Sequence, residues 1–411
     1  MKFGGTSVAD LERIRRVGRL VAAEVATGHQ VAVVVSAMAG RTNELVAWTD
    51  AAGPAAAGVP DSDDEYDVVV ASGEQVSAGL LAMTLRNLGH HAKSWLAWQI
   101  PIITDDSHGR ARIEDVLPDK LQAALDAGQI PVVAGFQGID RQGRLATLGR
   151  GAGDLSAVAV AAALKADRCD IYTDVDGVYT TDPRIESKAR RLARISYEEM
   201  LEMASLGARV LQSRSVELAM TQRVPLRVLS SFVEPGSAEN VGTIVCDEEE
   251  IVEKRIVSGV AYSRDEAKIS LFGLPDHPGV SSEIFGRLAD ANVNVDMIVQ
   301  SHARQEGAAN MEFTVGKRDA ARTMELVNDA KAAIGFQDIS IDDNVAKVSV
   351  IGVGMRSHAG VAKTMFGALA DKGVNIQVIS TSEIKISVLI DSAYTELAVR
   401  ALHAAYGLDQ L

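Results

Sequence analysis

The sequence predicts an α/β protein whose mainly parallel sheet is covered by helices on both faces, followed by two smaller α+β units. Three observations predict this fold. Short β-branched runs such as V-A-V-V-V at residues 31–35 alternate with helical stretches, which is the pattern of right-handed βαβ units. The 411 residues are too many for one ordinary hydrophobic core. A segment that begins at Asp276 recurs from Ser357.

Composition narrows the classes of function. A net charge of −14 argues against nucleic acid or an anionic membrane as the main partner. Cys169 and Cys246 have neither metal-ligand spacing nor a disulfide framework, which fits a reducing compartment. No apolar run reaches the length of a membrane span, and the N-terminus lacks the apolar core of a signal peptide. We therefore expect a cytoplasmic protein that binds neither nucleic acid nor membrane.

The first two strands end in polar residues. Lys2 ends a short strand that turns through Gly4 and Gly5. Ser36 ends the V-A-V-V-V strand, and Thr42 opens the next helix. Ligands of open α/β sheets bind at such strand ends, but hydroxyl groups at these positions also serve as ordinary helix caps, and Lys2 is equally a solvated lysine.

A third strand, turn and helix follow in V-V-V-A-S-G-E-Q, with Glu74 on the first helical turn. This carboxylate suits the helix dipole and could equally bind an ammonium group. Ala92–Asp106 and Ile130–Ile139 add strand-like segments, and the amphipathic helix Leu117–Ala127 lies between them.

A glycine-rich loop then runs directly into an Ala/Val-rich helix. It contains Gly149, Gly151 and Gly153, with Arg150 and Asp154 beside them. Free amide groups at the helix start can bind an anion, although a lone glycine cluster more often marks a tight turn.

A second polar stretch follows the next strand, which ends at Thr173 and Asp174. Its loop carries Tyr179, Asp182 and Arg184. Aspartates here are either solvated turn formers or ligands for Mg²⁺ or a ribose. Beyond it, a helical stretch contains Arg209 and Arg214, and a Pro-Gly-Ser turn at residues 235–237 marks a domain boundary.

The C-terminal part contains an internal duplication. Each copy predicts a strand, a helix and two further strands, so the pair fits a βαββαβ module made twice. The first copy contains His277, Gly279, Val280, Phe285, Leu288, Ala289, Asp290, Val293 and Asn294. They recur as His358, Gly360, Val361, Phe366, Leu369, Ala370, Asp371, Val374 and Asn375. Without a ligand, this would be a duplicated packing unit.

These motifs together resemble the bacterial aspartate kinases, which have the amino-acid kinase fold and two C-terminal ACT domains. The resemblance covers nearly the whole chain and rests on motifs in the right order: K-F-G-G-T-S from residue 2, S-A-M from 36, S-G-E from 72, G-F-Q-G from 135, the glycine-rich loop, Y-T-D-V-D-G-V-Y from 172, T-D-P-R from 181 and both repeats. It implies a three-layer αβα kinase domain at residues 1–245 and a regulatory region at 246–411. The first ACT domain would span about 265–335, and the second would combine 250–264 with 340–411.

The resemblance also implies a reaction, in which the ATP γ-phosphoryl group moves to the side-chain carboxylate of L-aspartate, the first step toward lysine, threonine and methionine. Lys2 would contact the transferring phosphate, and Asp154 would hold Lys2. Arg150 would bind the aspartate α-carboxylate, and Glu74 its ammonium group. Other substrate contacts would come from Ser36, Thr42 and Gly151. The nucleotide would be held by Lys2, Phe3, Gly4, Gly5, Thr173, Asp174, Tyr179, Asp182, Arg184 and Arg209. Mg²⁺ would accompany ATP, and no residue is assigned as a metal ligand.

The ACT domains would bind lysine, threonine or both and would pair to form a homo-oligomer. The residues at effector-binding positions are Asp276, His277, Pro278, Gly279, Asn294, Gln300, Asn375 and Ser382.

The loop departs from the usual family pattern. Ala152, Gly153 and Leu155 stand where the family has glycine, serine and a threonine or tyrosine. Two alternatives to an aspartate kinase therefore stay open. One is a kinase for an aspartate-like acid, with an altered acceptor pocket. The other is a catalytically impaired regulatory subunit.

Overall fold

The structure is a computed structural model that describes residues 1–52, 63–149, 151–206, 210–234, 237, 241–251, 255–303 and 307–410. The chain forms two compact units. The first consists of Met1–Val178, Arg191–Ala204 and Arg209–Val252. The second consists of Tyr179–Arg190, Ser205–Ala208 and Glu253–Leu411. The proposed domain limits at residues 245 and 246 stay a prediction.

Strands and helices follow one another through the first part of the chain, with one difference from our expectation. The V-V-V run at residues 68–70, which we expected to form a strand, ends the helix Asp63–Val70. The strands are β1 (Lys2–Phe3), β2 (Val33–Val35), β3 (Ala92–Trp95), β4 (Ile102–Thr104), β5 (Ile113–Val116), β6 (Ile130–Ala134), β7 (Gln137–Ile139), β8 (Leu145–Thr147), β9 (Cys169–Thr173), β10 (Arg194–Ser196), β11 (Leu226–Ser230) and β12 (Thr243–Cys246). The helices are α1 (Leu11–Ala26), α2 (Arg41–Ala52), α3 (Asp63–Val70), α4 (Ser72–Asn87), α5 (Asp119–Asp126), α6 (Gly153–Ala163), α7 (Tyr197–Ser205) and α8 (Ser213–Gln222).

The main sheet has eight strands among the described residues, in the order β10-β12-β11-β9-β1-β2-β6-β3. Its pairs are parallel except β11 with β12. The mainly parallel sheet is therefore confirmed. Because β1 lies between β2 and β9, the carboxyl ends of these strands meet at one edge, where ligands of α/β sheets bind. A smaller sheet has the order β5-β4-β7-β8.

The core of the first unit lies between the main sheet and helices α1 and α4. Phe3 is fully buried there, and its ring stacks on Tyr172 with centroids 4.7 Å apart. A second apolar cluster beside the small sheet includes Leu148, Ala152 and Leu155. The short strand β1 is thus fixed by packing as well as by pairing on both sides.

One helical stretch corrects our expectation about membrane-length runs. Asp64–Asn87 is long and apolar enough, by length and mean hydropathy, to cross a membrane. It comprises most of α3 and all of α4, and half of its apolar window is buried inside the protein. Leu81 and Leu85 lie in the main core. Packing in the core therefore accounts for the buried half of this stretch.

The second unit contains one antiparallel sheet with the order β14-β15-β13-β16-β18-β17 among the described residues. Its strands are β13 (Gly259–Pro275), β14 (Val295–His302), β15 (Ala308–Val315), β16 (Asp338–Ile351), β17 (Val378–Thr381) and β18 (Lys385–Asp391). Its helices are α9 (Val280–Asp290), α10 (Lys317–Asp329), α11 (Lys331–Ile334), α12 (Val361–Ala370) and α13 (Thr395–Ala405).

The duplication in the sequence corresponds to two apolar cores in this unit. Val280 and Leu288 are buried in one core, and their counterparts Val361 and Leu369 are buried in the other. β13 serves both repeats, because residues 259–263 pair with β16 and residues 267–275 pair with β15. The repeated apolar positions are therefore explained by packing.

Candidate active site

A cavity of about 390 Å³ lies in the first unit at the carboxyl ends of β1, β2 and β9. Parallel pairing brings these ends together, and the glycine-rich loop and α6 close one side. The lining residues are Lys2, Gly4, Gly5, Ser36, Ala37, Met38, Ala39, Gly40, Thr42, Asn43, Glu74, Phe136, Gly151, Ala152, Gly153, Asp154, Thr173 and Val210.

Lys2 and Asp154 form an ion pair in this cavity. Lys2 Nζ lies 2.6 Å from Asp154 Oδ1, and each side chain is only 10% exposed. Gly153 makes room for the lysine, because a Cβ there would lie 3.3 Å from Lys2 Cε. Asp154 stands in the first turn of α6, where a carboxylate suits the helix dipole. The pair thus holds an ammonium group at the start of a helix.

The backbone N–H groups at the start of α6 add positive potential next to the Lys2 ammonium group. The N-cap residue of α6 is Ala152, which supplies no side-chain cap. Gly149 and Gly151 have φ values of 88° and 80°, in the left-handed region that glycine adopts freely. The loop therefore turns sharply into the helix and leaves the first helical amides available to an anion.

Glu74 lines the cavity, and one of its carboxylate oxygens lacks a hydrogen-bond partner among the described residues. The Ala37 N–H donates to its Oε1 at 2.9 Å. Its Oε2 is buried and has no hydrogen-bond partner among the described residues. Burial raises the pKa of Glu74 to about 7, and the hydrogen bond from Ala37 opposes that rise. A buried acceptor of this kind suits a ligand ammonium group.

The structure brings most of the expected substrate residues together. Ser36, Thr42, Glu74 and Gly151 line the cavity with Lys2 and Asp154. Arg150, expected to bind the α-carboxylate, lies outside the described residues. The assignments of individual roles to these residues stay predictions.

The expected nucleotide residues divide into several groups. Gly4, Gly5 and Thr173 line the same cavity as Lys2, and Asp174 accepts a hydrogen bond from Thr173 Oγ1 at 3.1 Å. Tyr179, Asp182 and Arg184 belong to the second unit, where Asp182 pairs with Arg184 at 2.8 Å. Arg209 lies outside the described residues.

The Phe3 ring lies in the core. We expected Phe3 among the nucleotide contacts, but its side chain is 0% exposed and stacks on Tyr172. Successive residues of β1 point to opposite faces of the sheet, so Lys2 and Phe3 differ in direction and the Phe3 ring is a packing residue. A nucleotide contact from Phe3 would have to come from its backbone, and this role stays a prediction.

The expected effector residues are all solvent-exposed in the second unit. Two residues of the first repeat contact nearby side chains: Gln300 accepts a hydrogen bond from Ser281 at 3.3 Å, and Asp276 pairs with His302 at 3.2 Å. Asp276, His277, Pro278 and Gly279 directly precede α9, and Asn294 directly precedes β14. Asn375 precedes β17, and Ser382 follows it. An effector role for these eight residues stays a prediction.

Sequence reasoning missed part of the cavity wall. Met38, Ala39 and Gly40 follow β2, and Val210 precedes α8. Phe136 has a φ of 67°, which is unusual for a bulky residue, and it lies at the end of β6 beside the cavity. The G-F-Q-G motif was the available signal for Phe136, while nothing in the sequence marked Val210.

The unusual loop residues are accounted for by packing. Leu155 is 5% exposed and belongs to the apolar cluster with Leu148 and Ala152, so it is not part of the cavity wall. A Cβ at Gly153 would lie 2.7 Å from Ser36 Oγ. Glycine at position 153 thus fits the observed position of the Ser36 hydroxyl.

A parallel sheet with this cavity, followed by a duplicated α+β module, defines an amino-acid kinase with two ACT domains. The family model of the "Amino acid kinase family" matches residues 1–230, and models of the "ACT domain" match residues 269–332 and 348–406. The "Aspartokinase" of Pseudomonas aeruginosa is 52% identical over 410 residues, which cover 99% of this chain and 97% of that protein. The "Aspartokinase" of Mycolicibacterium smegmatis is 46% identical over 411 residues, covering 99% and 95%.

Two solved structures of E. coli aspartokinase III are similar along the whole chain. The complex with aspartate and ADP (R-state) has a TM-score of 0.79 at 29% identity, with 98% of each chain covered. The complex with lysine and aspartate (T-state) has a TM-score of 0.75, with the same identity and coverage. This chain belongs to the aspartokinases. The full-length match does not favour either an altered acceptor or an impaired regulatory subunit.

Proposed function

We propose that this chain transfers the γ-phosphoryl group of ATP to the side-chain carboxylate of L-aspartate and forms 4-phospho-L-aspartate. The observation that carries this proposal is the shared cavity of Lys2, Asp154 and Glu74. A carboxylate acceptor is already ionised at neutral pH, so the reaction needs no general base. The protein must bring two anions together and neutralise charge on the moving phosphoryl group.

The acceptor would be oriented by groups with opposite charge. Glu74 Oε2, which has no partner among the described residues, would accept a hydrogen bond from the ammonium group of aspartate. This contact would favour the ionised carboxylate of Glu74. Ser36 and Thr42 would donate hydroxyl hydrogen bonds. Arg150 would bind the α-carboxylate, where a guanidinium can form two parallel bonds.

The nucleotide phosphates would lie against Lys2 and the first amides of α6. Gly4 and Gly5 would let the backbone approach closely, and Thr173 and Asp174 would extend the contact at the end of β9. The other nucleotide contacts would come from Tyr179, Asp182, Arg184 and Arg209.

Mg²⁺ would accompany ATP. The described residues include no cluster of three or more His, Cys, Asp or Glu side chains placed to hold a metal ion. Mg²⁺ usually needs only one or two carboxylates in addition to substrate phosphates, so the site fits this ion. Among the described lining residues the carboxylates are Asp154 and Glu74, and Asp154 is already paired with Lys2. No residue is therefore assigned as a metal ligand, and Mg²⁺ would neutralise phosphate charge.

The ACT domains would regulate this activity. Lysine, threonine or both would bind near Asp276–Gly279, Asn294, Gln300, Asn375 and Ser382, and the ACT domains would pair into a homo-oligomer. An effector acts only through a difference in affinity for two arrangements of the protein. The expected compartment is the cytoplasm.

Trapping the acyl phosphate with hydroxylamine tests the proposed reaction. The full chain with ATP, Mg²⁺ and L-aspartate should yield aspartyl hydroxamate, and omission of any one component should abolish the product. Hydroxamate with a related acid but none with aspartate would contradict the acceptor, and no hydroxamate with any acid would contradict the kinase assignment.

Thermal unfolding tests the effector proposal. Lysine or threonine should raise the unfolding temperature, since a ligand that binds only the folded state stabilises it. Alanine should serve as a control amino acid. An unchanged transition with lysine and threonine, alone and together, would remove the effector assignment.

A further inference from the structure

Arg214 on α8 connects separate parts of the first unit beside the cavity, although it does not line the cavity. Its Nη1 donates to the Leu148 carbonyl at 2.8 Å, and its Nη2 donates to the Ala111 carbonyl at 3.0 Å. Leu148 follows β8, and Ala111 precedes β5. One guanidinium therefore ties α8 to the backbone at the start of the glycine-rich loop.

The loop after Leu148 contains flexible glycines, so a contact that fixes its first residue matters for its position. Gly149 and Gly151 both have left-handed φ values, and glycine has more backbone conformations available than any other residue. Within the turn, the Ala152 N–H donates to the Gly149 carbonyl at 3.2 Å. The loop delivers Gly151 and Gly153 to the cavity wall. Its approach to the acceptor thus depends on how its first residue is held.

The other polar backbone groups at this point already have backbone partners. The Ala111 N–H donates to the Thr147 carbonyl at 2.8 Å, and the Leu148 N–H donates to the Phe136 carbonyl at 3.0 Å. The Leu148 carbonyl instead accepts from the Arg214 side chain. Arg214 is therefore the contact that a side-chain substitution can remove without breaking the backbone pairing.

The far end of the loop is fixed independently. Asp154 is held by its ion pair with Lys2, and α6 continues from there. Val210, four residues before Arg214, also lines the cavity. Loss of Arg214 would hence disturb the acceptor side of the loop more than the Lys2 side.

We propose that Arg214 is a positioning residue that fixes the start of the glycine-rich loop at Leu148 and thereby sets the affinity for the acceptor. This inference rests on the proposed aspartate kinase activity. It adds a residue on α8, outside the cavity, to the groups that determine how aspartate is held.

Arg214→Lys and Arg214→Met in the full chain test this role. Lysine keeps the charge but cannot reproduce the two-armed contact, and methionine keeps much of the packing. Arg223→Lys is the matched control, since Arg223 is exposed at the C-cap of the same helix. We expect kcat/KM for aspartate to fall about 10-fold in the lysine variant and about 100-fold in the methionine variant, as expected for a small misplacement of a reacting group.

The pattern of kinetic changes separates positioning from general damage. KM for ATP should stay within about twofold of wild type, and the control should match wild type throughout. Hydrogen exchange should be faster in residues 148–153 of the methionine variant and unchanged in α1. Unchanged kcat/KM for aspartate, or unchanged exchange in the loop, would overturn the inference.

Equal losses for both substrates together with a lower unfolding temperature would also overturn it, because they indicate a structural role. Absence of hydroxamate with the wild-type chain would instead refute the proposed function. The exchange measurement needs no substrate, so it decides whether Arg214 orders the loop even in that case.

Discussion

Replacement of Glu74 by glutamine should change how stability depends on pH. Burial raises the pKa of Glu74 from 4.5 to about 7. At 1.36 kcal/mol for each pKa unit, this difference corresponds to about 3 kcal/mol. The free energy of unfolding of the substrate-free protein therefore falls by about that much when Glu74 ionises.

The sign follows from proton binding. Between pH 4.5 and about 7 the folded state keeps the Glu74 proton while the unfolded chain releases it, so stability falls as pH rises. The contribution is fully present below pH 4.5 and is lost as pH rises through about 7. Glu74→Gln has no such proton, so its stability relative to wild type should increase by about 3 kcal/mol across this range.

Urea unfolding at several pH values measures this difference. The three tryptophans, Trp48, Trp95 and Trp98, all lie in the first unit, so their fluorescence follows its unfolding. The buried amide of glutamine adds a constant cost, and the test therefore uses the change with pH rather than the absolute difference. Asp174→Asn, at an exposed carboxylate of the same unit, is the control.

Folding favours the protonated form of Glu74, whereas binding of aspartate should favour its ionised form. An aspartate ammonium group beside Glu74 favours its ionised form, so KM for aspartate should rise as pH falls below about 7. Glu74→Gln should have a higher KM that changes little over this range. Parallel pH profiles of stability for wild type and variant would refute the reasoning about burial, and an unchanged pH dependence of KM in the variant would refute the ammonium contact.

Two further pairs of substitutions test the cavity. Lys2→Met should lower kcat at least about 100-fold, because it removes a cation from the transferring phosphate. It should also destabilise the protein by about 3 to 5 kcal/mol in urea unfolding, because Asp154 would be left unpaired; adding Asp154→Asn should restore stability but not activity. Gly153→Ala should raise KM for aspartate about 10-fold by displacing the Ser36 hydroxyl, and its effect should largely disappear in a Ser36→Ala background. Additive effects of the last two substitutions would contradict this contact.

The sheet and the position of the cavity could be predicted because they follow from local patterns. Ser36 and Thr173 each end a β-branched or apolar run, and Lys2 lies in the short first strand that pairs with both of these strands. Parallel pairing brings the strand ends to one edge. The duplication could be recognised because the same apolar positions, such as Leu288 and Leu369, are buried in both repeats.

Roles that depend on three-dimensional packing could not be predicted. Leu155 departs from the family pattern and left an altered acceptor pocket open, but it packs with Leu148 in an apolar cluster. Successive helix positions are rotated by about 100°, so Asp154 faces the cavity while the next residue faces away. The sequence showed Arg214 only as a charged residue in a helical stretch. Its partners are backbone carbonyl groups, which every residue has, so the sequence could not indicate them.

The charges in the cavity show how an acidic protein can bind two anions. Among the described lining residues, Lys2 is paired with Asp154, and burial disfavours a negative charge on Glu74. The described part of the wall thus carries little net charge, in contrast to −14 for the whole chain. Attraction of phosphate must then come from groups fixed in place, namely the amides that begin α6 and the ammonium of Lys2. Because these groups act only at short range and in one geometry, the contacts that fix the glycine-rich loop determine activity as much as the charged residues do.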